Sequence, residues 1–293
     1  MIQSITVWNL NKSYGEKQVL RGVSFDVAQG ETFGLLCVNG SGKTTTIECI
    51  ENMRKPDSGK AVVNGTLGIQ LQSTSLPDTI TAKEAMRLFC AWHRLPYRGD
   101  LLERFDMAGE YLSKTYISLS TGRKRRLHLA LALCHNPDVL ILDEPTAGLD
   151  VEGRNALHTE IRRLNTEGVS ILMATHDMAE AEALCHHVAI LRDGVIARTG
   201  TPMDLTANAD VKSRIYIKTR GNSLNSYGQK GNSVADGYLF FQCKNASEFL
   251  LSLLSHVHAS GDEVMDLRVE RASIEDIFLE VAGENHRTGG GLR

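Results

Sequence analysis

Asn39-Gly40-Ser41-Gly42-Lys43-Thr44-Thr45 lies between an apolar run and a helix-like stretch, and its residue types suit phosphate. Small residues let backbone N–H groups close around phosphate oxygens, and the helix start adds the positive end of its dipole. In such a loop the Lys43 amine reaches the β- and γ-phosphates, and the Thr44 hydroxyl ligates Mg²⁺. A second group follows at Leu140-Ile141-Leu142-Asp143-Glu144-Pro145. A buried strand ending in two carboxylates presents them at the C-terminal edge of a sheet, where open α/β sheets bind ligands. There Asp143 suits Mg²⁺, and Glu144 suits a general base that polarises attacking water.

One position departs from the general loop pattern. Cys37 stands where that pattern begins with Gly, and a Cβ there restricts positive φ. Either the backbone keeps an ordinary conformation or the loop is altered. The thiol has two readings as well. Lys43 and a helix N-terminus nearby favour a reactive thiolate, whereas burial favours an inert thiol.

Leu119-Ser120-Thr121-Gly122-Arg123-Lys124-Arg125-Arg126 precedes a helix shortly before the Asp143-Glu144 strand. It resembles the Leu-Ser-Gly-Gly-Gln signature of ATP-binding cassette (ABC) ATPases, with Thr121 and Arg123 as changes. The resemblance extends to Gln72, to Gly148-Leu149-Asp150, to Ala174-Thr175-His176-Asp177 and to Tyr14, in family order over about Ile2 to Leu205. It implies a P-loop NTPase fold: a RecA-like core, an antiparallel β subdomain and an inserted helical subdomain. It implies ATP and Mg²⁺ as ligands, with Cys37, Val38, Asn39, Gly40, Ser41, Gly42, Lys43, Thr44 and Thr45 around the nucleotide and Tyr14 on adenine. Thr44, Gln72 and Asp143 would serve the metal. Glu144, His176, Gln72 and Lys43 would carry catalysis. Two subunits would pack head to tail, so that Ser120, Thr121, Gly122 and Asp150 of one close over ATP on the other. The expected partners are a polytopic membrane permease and a second ATPase subunit, identical or different, with no nucleic acid. The expected place is the cytoplasmic face of the membrane.

The elements needed to position these residues are visible in the pattern. Ile5–Trp8 and Val23–Val27 alternate as strands, and Thr32–Cys37 is a buried strand entering the loop. Lys43–Met53 opens as a helix. Ala61–Val63, Leu67–Ile69, Val139–Leu142 and Val169–Ala174 read as strands, with helices at Val151–Asn165 and Asp177–Leu184. This alternation predicts an α/β fold with a mostly parallel sheet. From Thr81 to Leu112 the pattern is helical, with Ala85, Leu88, Phe89 and Trp92 expected on one face; Leu127, Ala130, Leu131 and Cys134 repeat that spacing.

The expected organisation is a nucleotide-binding domain over 1–208, with its helical subdomain at about 78–135. A small C-terminal α/β domain over 209–284 and a flexible tail over 285–293 follow. The second domain is expected to hold strands at Arg214–Lys218, Tyr238–Gln242 and Glu263–Val269, and helices at Ala246–His256 and Ser273–Ala282. Its Arg271-Ala272-Ser273-Ile274-Glu275-Asp276-Ile277-Phe278-Leu279 segment resembles that of ATPase subunits from drug, antibiotic and lantibiotic exporters.

Composition narrows the class. The chain has 293 residues, is 42% hydrophobic and 23% charged, and carries a net charge of −3, so no bulk attraction to nucleic acid or anionic lipid is implied. Its six cysteines are scattered without a CxxC pair and read as reduced thiols. No run approaches the roughly 18 apolar residues of a spanning helix, and the N-terminus has no signal-peptide pattern, so a pore would have to come from another chain. Two rival readings stand beside a transporter ATPase. One is a degenerate, slowly hydrolysing partner in an asymmetric dimer, motivated by Cys37, Thr121 and Arg123. The other is a soluble ABC ATPase outside transport, disfavoured by the single cassette and the lack of heptads.

Overall fold

The computed structural model of the protein describes residues 2–37, 40–70, 76–207, 213–227, 232–233, 237–243, 245–270 and 273–283. Val38, Asn39, Gln72 and the expected tail over 285–293 lie outside the described residues. The chain divides into two compact units, Met1–Pro202 and Met203–Arg293.

The first unit opens with strands β1 (Gln3–Tyr14), β2 (Lys17–Ala28) and β3 (Thr32–Cys37), then helix α1 (Lys43–Ile50) and strands β4 (Ser58–Val63) and β5 (Leu67–Gln70). Helices α2 (Ala82–Trp92), α3 (Gly99–Arg104) and α4 (Thr121–Ala132) form the inserted block. Strand β6 (Val139–Asp143), helix α5 (Val151–Thr166), strand β7 (Ser170–Thr175), helix α6 (Met178–Leu184) and strands β8 (His187–Arg192) and β9 (Val195–Gly200) complete it. One sheet has the antiparallel order β2-β1-β4 and the other the order β5-β6-β7-β3-β8-β9. The latter is parallel from β5 to β8, and β9 pairs antiparallel with β8. Every residue of β3, β6 and β7 is buried, as expected of parallel strands covered on both faces.

The register sets the site. Leu36 pairs with Thr175, and Asp143 with Ala174, so β3, β6 and β7 end together at one edge. The segments leaving that edge carry Lys43, Glu144 and His176.

The inserted block departs from the expected pattern in two ways. The helical stretch is broken: α2 ends at Trp92, Arg94 takes a left-handed φ of 56°, and Gly109–Leu112 is a 3₁₀ turn. The buried stripe of α2 is Ala82, Ala85, Met86 and Cys90, whereas Leu88 and Trp92 face solvent at 52% and 83% exposure. Apolar residues occupy both stripes of this helix, so periodicity alone did not decide which faces inward. Helix α4 buries Leu127, Ala130 and Leu131, followed by buried Cys134, as its spacing implied.

Helix α7 (Pro202–Ala207) follows β9. The second unit continues with strands β10 (Ser213–Thr219), β11 (Asn232–Ser233) and β12 (Leu239–Cys243), helix α8 (Ala246–Ala259), strand β13 (Val264–Glu270) and helix α9 (Ile274–Gly283). Its sheet is antiparallel, in the order β11-β12-β10-β13. Ile215, Ile217, Phe241, Phe249, Leu253 and Val257 form its core. On α9, Ile274, Ile277 and Val281 are buried one turn apart, and Asp276 is paired with Arg214.

Candidate active site

The phosphate loop folds as its residue types dictate. Gly40 and Gly42 take φ of 78° and 106°, a region costly for any residue with a Cβ. A Cβ on Gly42 would stand 2.6 Å from Leu20 Cδ2. Ser41 is buried, and its carbonyl accepts from the Gly194 N–H at 3.1 Å. Helix α1 then starts at Lys43, which directs its first free N–H groups at the loop. Thr44 is exposed at this start, and Thr45 is buried behind it.

Lys43 is the centre of the site. Its Nζ donates to Glu144 Oε1 at 2.8 Å and pairs with Asp143 Oδ1 at 2.9 Å. Asp143 and Glu144 are both nearly fully buried at the end of β6. Burial works against the Lys43 charge, but the hydrogen bonds it donates to Glu144 and Asp143 outweigh it and lift the amine above its ordinary range. On the other side of Glu144, His176 Nδ1 lies 2.6 Å from Oε2. His176 is otherwise exposed, so this contact joins a buried carboxylate to an imidazole that faces the opening. Glu144 has a left-handed φ of 50°, a strained conformation for glutamate, and its N–H bonds to the Ala174 carbonyl at 2.8 Å.

Cys37 bears on both of its open questions. It is absent from the described residues with positive φ, so the backbone there is ordinary. The thiol is 5% exposed and points at the Leu35 carbonyl at 3.7 Å. Burial pushes its pKa up to about 12 despite nearby Lys43, which favours the inert reading.

The signature residues sit elsewhere on the unit. Ser120 caps α4, its Oγ accepting from the Arg123 N–H at 3.3 Å. Gly148 has φ of 76°, and a Cβ there would meet the Thr121 methyl at 3.3 Å; one on Gly122 would meet Leu149 at 3.5 Å. Asp150 caps α5 through a 2.8 Å bond from the Gly153 N–H. Thus Ser120, Thr121, Gly122 and Asp150 form one neighbourhood, whose contacts are with each other's segments. Arg123 does not stand as a free cation: it donates to the Asp106 carbonyl and lies 3.9 Å above the Tyr111 ring. Arg126 pairs with Asp106. The basic run therefore holds the inserted block together. Tyr14 is 42% exposed at the end of β1, with the Arg54 guanidinium 5.2 Å from its ring centre.

Two further groups lie outside the motifs. His93, Cys134 and His135 gather at one point, with the two imidazoles stacked at 4.2 Å and 7°. A metal lies in the plane of each imidazole it binds, and two parallel planes share no such point, so this group is packing. His186 accepts from the Thr32 N–H and His187 pairs with Glu31, so both histidines are tied into the fold. The other group is Glu180, a carboxylate 1% exposed behind the site that no motif marked.

A protein-family model described as ABC transporter matches residues 20–147. The chain is 34% identical to a Nod factor export ATP-binding protein I of Paraburkholderia xenovorans, over 94% of this chain and 95% of that one. It belongs to the ABC transporter family, as an ATP-binding subunit. It is also 30% identical to the daunorubicin resistance ATP-binding protein DrrA3 of Streptomyces coeruleorubidus, over 97% of each chain. Among solved structures it is similar to an ATP-binding subunit of an ABC transporter, with a TM-score of 0.64 at 29% identity over 69% of this chain and 91% of that one. The fold and the ATPase activity expected from the signature resemblance are those of this family.

Proposed function

We propose that this subunit hydrolyses ATP at the Lys43–Asp143–Glu144–His176 cluster to drive export of a drug, antibiotic or similar hydrophobic cargo through a separate permease. The observation that carries the catalytic part is the single Lys43 amine held between two buried carboxylates, the second of which also meets His176. Phosphate oxygens offer Lys43 a competing set of anions at the helix start. Its withdrawal from Glu144 leaves that carboxylate free to take a proton from water. His176 stays within reach of Glu144 and orients it. A hydroxyl and a carboxylate are oxygen donors of the kind Mg²⁺ prefers, so Thr44 and Asp143 would hold the ion, which would neutralise phosphate charge.

Export is supported by the export and resistance names of the relatives. A membrane partner is supported by the surface of α2, where Leu88 and Trp92 present an apolar strip. No helix among the described residues is long and apolar enough to cross a membrane. Docking there would hold the chain at the cytoplasmic face. A second ATPase subunit is supported by the separate neighbourhood of Ser120, Gly122 and Asp150, which would complete the site of a partner. Tyr14 offers an exposed ring to adenine.

The test is phosphate release by the purified full chain and its Glu144→Gln variant. Loss of turnover with retained ATP binding supports the assignment. Unchanged turnover in the variant refutes it.

A further inference from the structure

Glu180 sits one turn into α6, and its carboxylate is shut away from solvent. Buried carboxylates are costly unless several donors hold them, so its partners reveal what it is there to hold. One partner is the Thr175 hydroxyl, which donates to Oε2 at 2.9 Å. The Thr146 side chain stands close enough to favour the charged form of the carboxylate. Thr175 immediately precedes His176, and Thr146 comes two positions after Glu144. The carboxylate thus fastens the segment that carries His176 and stands against the one that follows Glu144.

The Thr175 hydroxyl has no freedom to turn away. It also accepts from the Asp177 N–H at 3.0 Å, so its own proton is committed to Glu180. Asp177 in turn caps α6 by accepting from the Glu180 N–H at 3.0 Å. The network reaches one element further. His158 Nε2 lies 3.4 Å from Glu180 Oε1 without a hydrogen bond between them, and Arg154 pairs with Asp177 at 2.9 Å. Both are on α5, the helix capped by Asp150.

We propose that Glu180 is the positioning residue of the hydrolytic site: it holds the Thr175 hydroxyl, and with it the segment leading to His176, so that Glu144 and His176 stay paired. The inference rests on the reading of Glu144 and His176 as the hydrolytic pair. Glu180 touches neither nucleotide nor water in this role. Burial raises its pKa, opposed by the two threonine hydroxyls, as expected of a carboxylate that needs its donors.

The test compares Glu180→Gln, Thr175→Ser, Thr175→Val and the Glu180→Gln/Thr175→Val double variant of the full chain. Turnover, the KM for ATP and the melting temperature are read for each. Glutamine keeps the shape but turns one acceptor into a donor facing a hydroxyl whose proton is committed. Misplacing a catalytic group by a fraction of a bond length lowers turnover steeply, so kcat should fall on the order of 10- to 100-fold. KM for ATP should stay within about twofold, because no phosphate contact changes. Thr175→Ser should retain wild-type turnover and Thr175→Val should match Glu180→Gln. The double variant should be no worse than either single one, as for residues acting through one contact. Wild-type kcat in Glu180→Gln, or additive losses in the double variant, would overturn the inference. Should Glu180→Gln not fold, the serine and valine pair decides: equal turnover in the two refutes it. Glu144→Gln separates this from the underlying reading. Abolished turnover there beside intact Glu180→Gln activity leaves the site assignment standing and removes only the positioning role.

Discussion

His176 Nδ1 and Glu144 Oε2 are 2.6 Å apart, although they leave different strands and their residues differ completely in exposure. The contact exists because β6 and β7 are adjacent and in register, with Asp143 opposite Ala174. It makes Glu144 the meeting point of a cation on one oxygen and an imidazole on the other. Removing the carboxylate charge should therefore affect chemistry more than binding. Glu144→Gln is expected to lower kcat by about 10²- to 10⁴-fold, the usual contribution of a general base, with ATP affinity within about threefold of wild type. Single-turnover phosphate release and nucleotide titration measure the two quantities.

Much of this site was legible because its residues obey local rules. Gly40 and Gly42 needed positive φ, Lys43 needed a helix start, and Asp143 needed a buried strand end, and each rule acts over a few neighbours. The meeting of Glu144 with His176 was not legible from spacing, since it depends on strand order. Strands β8 and β9 escaped the pattern reading altogether. Their signal was present in Asp193-Gly194, which takes φ of 48° and 80° and closes a two-residue hairpin between Arg192 and Val195. Glu180 was invisible for another reason: a charged residue in a short helix reads as surface, and only the fold surrounds it with Thr146, Thr175 and His158.

The two apolar stripes of α2 give a contrast on one helix. Met86 is fully buried, and Met86→Ala should cost about 2–5 kcal/mol of unfolding free energy through the cavity it leaves. Trp92→Ser removes a larger side chain but one in solvent, and should change stability by no more than about 0.5 kcal/mol. Urea unfolding of the two variants checks the assignment of faces. If α2 docks on the permease, Trp92→Ser should also weaken co-purification with membranes while leaving ATPase turnover of the isolated chain unchanged.

Cysteine labelling follows burial. Cys243 is the one cysteine among the described residues that is not fully buried, and it should react with maleimide first. Cys37, with its pKa near 12, should react slowly whether or not Mg-ATP is bound. Residue-resolved mass spectrometry distinguishes this from a reactive loop thiol, which would label early and be protected by nucleotide.

His128 should set an acid limit on stability. Its Nε2 meets the Tyr116 hydroxyl at 2.9 Å inside the inserted block, and burial, with help from Arg125 and Lys124, lowers its pKa from 6.5 to about 4. The unfolded chain therefore takes up a proton at higher pH than the folded one does. The neutral imidazole's contribution is complete above pH 6.5 and is lost as pH falls from there towards 4. The full shift corresponds to at most about 3 kcal/mol at the low end, because the side chain is mostly but not wholly buried. Other groups titrate in the same window, so the wild-type curve alone does not isolate it. His128→Gln keeps a hydrogen-bond partner for Tyr116 and removes the titration. Its stability relative to wild type should rise steadily between pH 7 and pH 4.5 in chemical unfolding experiments. Parallel curves for the two proteins over that range would show that His128 is as easily protonated folded as unfolded, and that the block tolerates a charge there.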